Sequence, residues 1–282
     1  MALIYFGFRI IRIENHYHFQ QKRAYTYDVL KRLFGKEFSG IKFPIIGENI
    51  SFSGDINGFL NAFESQQWEY DCIQYLSDII RPGQIILDVG AWIGVYSILF
   101  SKLTGDTGRV YSFEPNPKVE TILKNNIRKN HIKNVSVIGQ AVSDAIGEAK
   151  LYPCNVWHDS MSNLIGRRGQ CKGNPINVKT ITLDRFCNEF NVIPNGLKID
   201  VEGVEAQVIK GSREILRKYS PWVFIEFHGE FMTDQECEDN WNSITESAKG
   251  VTFISGKNSS VKYGSQLSSF PDCKYFHIKI DY

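Results

Sequence analysis

The sequence lacks an excess of charge of either sign. Its 32 lysine and arginine residues are nearly balanced by 31 aspartate and glutamate residues. A protein that binds the phosphate backbone of a nucleic acid needs a concentration of basic residues, and this composition does not supply one. We therefore predict no nucleic-acid partner.

The sequence also lacks paired cysteines. Its six cysteines form no C-x-x-C motif and show no regular spacing. Structural zinc sites and disulfide frameworks depend on such spacings. The sequence therefore predicts neither a bound metal nor a disulfide framework, and it favours a reducing, cytoplasmic location.

No apolar run is long enough to cross a bilayer. The most apolar stretch, residues 1–13, is shorter than the roughly 20 residues that a spanning helix needs, and it contains Arg9 and Arg12. It is also followed by no small-residue cleavage site. We predict no stable membrane insertion and interpret this stretch as a strand or packed arm, with peripheral membrane attachment as the alternative.

The strongest pattern that is present runs from residue 84 to residue 104. Gln84 to Val89 is a short apolar run of the kind that forms a buried parallel strand, and helical spacing of apolar residues follows it. Between the two lie Gly90 and Gly94, which allow a sharp turn and a close approach of the backbone to a ligand. This pattern predicts a strand, a glycine turn and a helix whose N-terminus favours an anionic group.

An acid stands at the end of the next predicted strand, residues 109–114. In dinucleotide-type folds, an acid about 20 residues beyond the glycine turn accepts hydrogen bonds from ribose hydroxyls, and Glu114 has this position. Together the turn and the acid predict a nucleoside-type cofactor. The alternative is an α/β sheet with an incidental acid at a strand end.

The glycine spacing distinguishes between cofactors. The dinucleotide fingerprint is G-x-G-x-x-G, whereas this turn has only Gly90 and Gly94, and Trp92 stands at the place of the middle glycine. A bulky residue there argues against a pyrophosphate on the loop. An adenosine with a small amino-acid carboxylate needs less room, which favours S-adenosylmethionine.

Four motifs, taken in order along the chain, resemble those of the FkbM family of S-adenosylmethionine-dependent methyltransferases. They are D-V-G-A-W-I-G-V-Y-S at 88–97, F-E-P-N-P at 113–117, T-L-D at 182–184 and K-I-D-V-E-G-V-E at 198–205. Trp92 stands where the family usually has asparagine. The resemblance implies a class I (Rossmann-like) α/β fold, a mostly parallel seven-stranded sheet with helices on both faces and an antiparallel edge pair. It also implies O-methylation of a sugar or polyketide-like hydroxyl.

Two regions are predicted along the chain. Residues 1–80 form an N-terminal extension or cap, which includes a hairpin within 41–52 and a helix over 58–80. Residues 81–282 form the methyltransferase domain, in which strands and helices alternate. Within it we predict one strand over 134–142, an extra strand over 148–153 and a helix over 204–218. Asp184 is predicted to cap a short helix over 184–190. The long irregular stretch 154–175 is interpreted as a lid or acceptor-binding loop, with an ordinary surface insertion as the alternative.

Candidate site residues follow from strand ends, where open α/β sheets bind their ligands. Glu114 is assigned to the ribose, Asp88 to the amino group of the methionine moiety or to loop order, and Gln140 with Ala141 to the adenine edge or to a plain turn. The predicted cofactor-binding residues are Asp88, Gly90, Ala91, Gly94, Ser97, Glu114, Asn116, Gln140, Ala141 and Asp200.

The predicted catalytic residues are Asp200, Glu202 and His228. Asp200 and Glu202 end a predicted strand next to the first one, where the methyl group and the acceptor meet, and neighbouring carboxylates raise one another's pKa. The pair could also attract a divalent metal, but the sequence shows no clear third ligand. His228 is predicted as a base because the ordinary pKa of histidine suits proton removal near neutral pH.

Two other functions fit part of the pattern. A nicotinamide-dependent oxidoreductase needs the same sheet and ribose acid, but its third glycine and a Tyr-x-x-x-Lys pair are missing. A non-catalytic binding protein could retain the fold. For the methyltransferase we expect a small-molecule or glycan acceptor, and the sequence leaves a homodimer open.

Overall fold

The structure is a computed structural model, and it describes residues 41–42, 49–52, 69–154, 162–166, 174–256, 262, 264–271 and 275–282. The predictions for residues 1–40, for most of the helix before residue 69 and for most of the loop 154–175 lie outside these residues. No helix within the described part of the chain has both the length and the apolarity needed to cross a membrane.

A seven-stranded sheet forms the centre of the fold. Its strand order is β11-β12-β10-β9-β3-β4-β5, and only β12 runs antiparallel to its neighbours. The strands are β3 (Ile85–Val89), β4 (Arg109–Phe113), β5 (Val135–Ile138), β9 (Gly196–Ile199), β10 (Trp222–His228), β11 (Gly250–Gly256) and β12 (Tyr275–Asp281). This order and the antiparallel edge pair confirm the class I methyltransferase fold.

Both faces of this sheet are buried, because apolar side chains alternate along strands that have helices on each side. On β3, Leu87 and Val89 belong to one hydrophobic core, whereas Ile86 belongs to a second core on the opposite face. The continuous apolar run of β3 therefore serves two cores at once.

The helices follow the predicted alternation. They are α1 (Tyr70–Ile79), α2 (Val95–Thr104), α3 (Pro117–Lys129), α4 (Leu183–Phe190), α5 (Glu205–Lys210), α6 (Arg213–Tyr219) and α7 (Asp234–Thr245). α1 packs into the second core through Cys72, Ile73 and Leu76. The pattern analysis did not predict α7, which begins at a capping box between Thr233 and Glu236. The boundary between two regions at residue 80 stays a prediction.

A second, three-stranded sheet corrects the prediction of one strand over 134–142. The chain leaves the central sheet after β5, and β6 (Ala141–Val142) joins β8 (Ile176–Ile181) and β7 (Gly147–Leu151) in the order β6-β8-β7. The chain passes from the central sheet to the second sheet at Gly139, where a Cβ atom would lie 2.8 Å from the Glu120 carboxylate. The predicted extra strand near 148–153 corresponds to β7.

The predicted helix over 204–218 is interrupted, because α5 ends at Lys210 and α6 begins at Arg213. At Gly211 a Cβ atom would lie 2.1 Å from the carbonyl oxygen of Ser143. This close approach of two backbone segments requires glycine and separates the two helices.

The prediction that Asp184 caps its own helix is wrong, because another residue caps that helix. Thr182 caps α4 by accepting from the backbone N–H of Arg185 at 3.1 Å. The Asp184 carboxylate instead accepts from the N–H groups of Glu214 and Ile215, at 3.1 and 2.9 Å, in the first turn of α6. Asp184 therefore caps the start of a helix, as aspartate often does, but this helix lies about 30 residues further along the chain.

The predicted hairpin within 41–52 is present as β1 (Ile41–Lys42), which pairs antiparallel with β2 (Asn49–Ile50). Its end is tied to α3, because Ser51 N–H donates to Asn130 Oδ1 at 2.9 Å and Asn130 Nδ2 donates to the Ser51 carbonyl at 2.8 Å. These bonds attach part of the predicted cap to the central domain.

Candidate active site

The glycine turn after β3 passes directly over the end of β9. A Cβ atom on Gly90 would lie 1.7 Å from the carbonyl oxygen of Asp200, and both Gly90 and Gly94 have positive φ angles, +78° and +95°. Only glycine fits this contact of two backbones. The turn leads into α2, as the sequence predicts.

Glu114 holds this turn from the adjacent strand. Its Oε2 accepts from the backbone N–H of Trp92 at 3.0 Å, and its Oε1 accepts from the backbone N–H of Asn116 at 2.9 Å. Burial raises the pKa of Glu114 to about 7, against the lowering effect of these two hydrogen bonds. The bond to Trp92 uses its backbone, so it requires no particular side chain at position 92.

An open cavity lies at the carboxyl ends of β3, β4, β9 and β10. Its empty space is about 1050 Å³, a volume that includes open solvent at the mouth of the cavity. The indole of Trp92 lies at the cavity wall and packs partly against the second core, so it does not fill the space. Acidic residues in the wall come from the ends of three strands, β4, β9 and β10, and from the residue before α1: they are Glu69, Glu114, Asp200, Glu202 and Glu226.

The structure separates the predicted cofactor-binding residues into two groups. Those at the cavity wall are Gly90, Glu114, Gln140, Ala141 and Asp200. Those that do not line it are Asp88, Ala91, Gly94, Ser97 and Asn116.

Asp88, Ser97 and Asn116 have structural contacts instead. Asp88 and Ser97 are fully buried, and Ser97 Oγ donates to Asp88 Oδ2 at 2.5 Å. Asn116 caps α3 by accepting from the Lys118 N–H at 3.1 Å. Both assignments of Asp88, to the methionine amino group or to loop order, stay predictions, and its contacts with Ser97 are those expected for loop order.

Lys198 is a buried cation that pattern analysis missed. Its Nζ donates to Asp200 Oδ2 at 2.9 Å and lies 3.8 Å from Asp88 Oδ1, and the residue is 2% exposed. Burial lowers the pKa of Lys198, but Asp200 and Asp88 outweigh burial and raise it above its ordinary value. Lys198 stands directly opposite Asp88 in the β3–β9 register. In the sequence, the signal for this ion pair is a charged residue within an otherwise apolar strand, because buried lysines usually have a charged partner.

Replacing Lys198 by methionine should destabilise the fold by about 3–5 kcal/mol, because two carboxylates would lose their buried counter-ion. Urea unfolding at neutral pH measures the change. Lys124→Met is the matched control, since Lys124 makes an exposed pair with Glu120 at 2.6 Å, and such pairs contribute about 0.5 kcal/mol or less. Equal losses in the two variants would contradict this account of Lys198.

The surroundings of His228 argue against its predicted role as the general base. It is 4% exposed, it does not line the cavity, and its Nδ1 lies 3.1 Å from Glu205 Oε1. Burial lowers the pKa of His228, but Glu202, Glu205 and Glu226 outweigh burial and raise it well above its ordinary value. A raised pKa favours the protonated imidazole, which argues against the predicted role of His228 as a proton acceptor.

A second histidine lies beside it, at a position that pattern analysis did not select. His277 on β12 stands directly opposite Glu226 on β10 in the antiparallel register. Its Nε2 lies 3.4 Å from Glu226 Oε2 and 3.9 Å from Glu69 Oε2. The strand-end rule did not select His277, because this residue lies near the start of β12 and reaches the same edge of the sheet only because β12 runs antiparallel.

Comparison with characterised proteins gives a partial match to several methyltransferases. The hexuronic acid methyltransferase AglP of Haloferax volcanii is 26% identical over 162 residues, which are 57% of this chain and 62% of AglP. The ribosomal protein L11 methyltransferase of Caldanaerobacter subterraneus is 32% identical over 95 residues, which are 33% of this chain and 30% of that protein. The chain thus spans less than two thirds of the length of these relatives.

Among solved structures, the FkbM methyltransferase of Methylobacillus flagellatus superposes with a TM-score of 0.45 at 17% identity, over 82% of this chain and 56% of that one. The family profile described as the methyltransferase FkbM domain matches residues 88–251. This range is more than half of the 282 residues and contains the glycine turn, Glu114, Asp200 and Glu226. The chain therefore belongs to the FkbM family of S-adenosylmethionine-dependent methyltransferases.

Proposed function

We propose that this chain is an O-methyltransferase that moves the methyl group of S-adenosylmethionine to a hydroxyl of a sugar, glycan or polyketide-like acceptor. The observation that carries the proposal is the position of Asp200. Its carboxylate, 25% exposed, stands in the cavity wall next to the glycine turn. A hydroxyl acceptor must lose a proton as the new bond forms, so a carboxylate at this place suits it.

The residues of the wall fit the cofactor. Glu114 faces the turn and retains acceptor capacity beyond its two backbone bonds, because a carboxylate has about four lone-pair sites. We assign the ribose hydroxyls to it and the adenine edge to Gln140 and Ala141.

The methyl group bound to the cofactor sulfur is the electrophile of the reaction. The chain then contributes alignment of the acceptor for in-line attack and a site for the acceptor proton. Asp200 Oδ1 receives that proton, while Lys198 holds Oδ2 at 2.9 Å and keeps the carboxylate oriented. Glu202, also at the wall, lies 3.5 Å from His228 Nε2 and helps to hold the imidazolium.

Two further features support the acceptor class. The similarity to AglP, named for a hexuronic acid acceptor, supports a sugar. Ser162, Asn163 and Leu164, which belong to the predicted loop 154–175, line the cavity, and we assign acceptor binding to this loop.

Cofactor affinity should depend on pH through Glu114. The ribose hydroxyls donate to the ionised carboxylate, and the free-protein pKa of Glu114 is about 7, so affinity should fall as the pH falls through that value. S-adenosylhomocysteine should bind about tenfold more weakly at pH 6 than at pH 8. Isothermal titration calorimetry across this range measures the effect.

Glu114→Gln is the control for this pH dependence. It should bind the ligand more weakly at pH 8, by about 1.5–3 kcal/mol for a lost charged hydrogen bond, and its affinity should no longer change between the two pH values. An unchanged pH dependence in the variant would contradict the ribose role of Glu114.

The acceptor class is tested by methyl transfer from isotope-labelled S-adenosylmethionine to a panel of monosaccharides, oligosaccharides and polyketides, with ribosomal protein and ribosomal RNA as competitors. Mass spectrometry with product fragmentation locates the methyl group. The proposal predicts an ether methyl on a hydroxyl oxygen. Transfer only to protein or RNA, or to nitrogen, would overturn it.

A further inference from the structure

We propose that Glu69, Glu226 and His277 form a binding site for one divalent cation at the wall of the cavity. Each of the three residues offers one ligand atom, and these atoms lie within 4.8 Å of one another. Glu226 Oε2 lies 3.4 Å from His277 Nε2, and Glu69 Oε2 lies 3.9 Å from the same nitrogen. A cation among these atoms requires only a small inward movement of the side chains.

The position of the His277 Nε2 atom points to a ligand. His277 is 2% exposed, and within the described part of the chain its Nε2 makes no hydrogen bond; the carboxylates of Glu226 and Glu69 face it at 3.4 and 3.9 Å. A buried polar atom without a partner is costly, and native structures usually satisfy such atoms with protein, water or an ion. Here the atom is directed at two carboxylates that can share a cation with it.

Each proposed ligand side chain has a neighbouring hydrogen-bond partner that orients it, as ligands in metal sites usually have. Ligating histidines are usually oriented through their other ring nitrogen, and ligating carboxylates are themselves hydrogen-bonded. His277 Nδ1 lies 3.0 Å from Ser255 Oγ. The Tyr96 hydroxyl donates to Glu69 Oε2, and the Tyr275 hydroxyl donates to Glu226 Oε1.

Among the described residues, no lysine or arginine lies within 4 Å of either proposed carboxylate ligand, Glu69 or Glu226. Lys198 pairs instead with Asp88 and Asp200. A divalent cation would therefore complement the charge of these two carboxylates.

A second donor set, Asp200, Glu226 and His228, shares Glu226 with the first. We place the cation at His277 because the second set already has positive charge. Lys198 donates to Asp200 at 2.9 Å, and His228 Nε2 faces Glu226 at 3.4 Å and Glu202 at 3.5 Å.

The donor chemistry and the position define the class of ion. Two carboxylates and one imidazole suit ions that accept both oxygen and nitrogen, such as Mn²⁺, Fe²⁺ and Zn²⁺. Glu69 and Glu226 both line the cavity, which gives the ion an entry path and leaves coordination positions open to it. On the proposed function, an acceptor oxygen would occupy one of these positions.

The experiment is a titration of the full chain with Mn²⁺, monitored by the electron paramagnetic resonance signal of the free ion, with neither cofactor nor acceptor present. We expect one saturable Mn²⁺ per chain. His277→Ala should weaken binding by about 100-fold or more, since loss of an outer-shell partner alone costs 10–100-fold. The exposed His131→Ala should leave binding unchanged.

Glu69→Gln provides a second, nearly isosteric variant, and thermal unfolding of each variant shows whether it is folded. It too should lose most of its Mn²⁺ affinity. The proposal is overturned if the wild-type chain binds no Mn²⁺ saturably, if folded His277→Ala or Glu69→Gln binds it as well as wild type, or if His228→Ala weakens binding more than His277→Ala. Because no acceptor is present, these outcomes are separate from a failure of the O-methylation proposal.

Discussion

Replacing Asp200 by asparagine should lower kcat by about 10²–10⁴-fold, the usual contribution of a positioned general base. The amide keeps the shape of the side chain, but it cannot take the acceptor proton. The backbone N–H of Asp200 donates to the Val89 carbonyl at 3.0 Å, and the substitution leaves this backbone bond available, so the strand end beneath the glycine turn should be preserved. The loss should appear in single-turnover rates, whereas the affinity for S-adenosylhomocysteine should change less than about threefold.

Glu202→Gln is the matched control for this prediction. Glu202 is 13% exposed at the same wall and carries the same charge, yet in our account it holds His228 rather than the acceptor proton. We expect a kcat loss of about tenfold or less. If Glu202→Gln lost more activity than Asp200→Asn, Glu202 would be the base and our assignment would be wrong.

Replacing Gly90 by alanine should abolish measurable cofactor binding. The added Cβ would lie 1.7 Å from the carbonyl oxygen of Asp200 and 2.8 Å from its carbonyl carbon. Both are backbone atoms, so the turn and the end of β9 must separate. That separation moves the Trp92 N–H away from Glu114 and opens the wall where the cofactor binds. Calorimetry with S-adenosylhomocysteine measures the loss.

Gly264→Ala separates the clash from the strain of a positive φ angle. Gly264 has φ +79°, almost the value of +78° at Gly90, and no atom lies within 4 Å of its added Cβ. This variant should lose only about 1–2 kcal/mol of unfolding free energy and should keep full cofactor affinity. Equal affinity of Gly90→Ala and Gly264→Ala for the ligand would show that the close contact at Gly90 is not needed.

Local patterns were sufficient for the elements nearest to the cofactor. The apolar run before Gly90, the helical spacing after Gly94 and the acid at Glu114 predict β3, α2 and the wall of the cavity, because each depends on residues adjacent in sequence. The alternation of strands and helices likewise predicts the parallel order, since crossover connections leave few alternatives.

Contacts between distant segments were not predictable in the same way. The pairing of Asp88 with Lys198 and of Glu226 with His277 follows from strand register, which a single sequence does not contain. Position at a strand end also does not give the direction of a side chain. Asp88 and His228 both satisfy the positional rule, yet both are buried beneath the wall, because Lys198 of a neighbouring strand holds Asp88 and Glu205 of helix α5 holds His228.

Breaks in regular elements have the same origin. Gly211 lies within a pattern typical of one long helix, and the approach of Ser143 from a distant strand interrupts it. The change of sheet at Gly139 and the capping of α6 by Asp184 depend equally on segments far away in the chain. In each case a tertiary contact outweighs the local preference.

The central claim is that the cofactor occupies the space between the glycine turn and Glu114, with its sulfur directed at Asp200. A crystal structure of the chain with bound S-adenosylhomocysteine tests it most directly. We predict that the ribose hydroxyls lie within hydrogen-bond distance of the Glu114 carboxylate and that the sulfur faces the part of the cavity lined by Asp200 and Glu226. A ribose bound away from Glu114, or a ligand outside this cavity, would contradict the account.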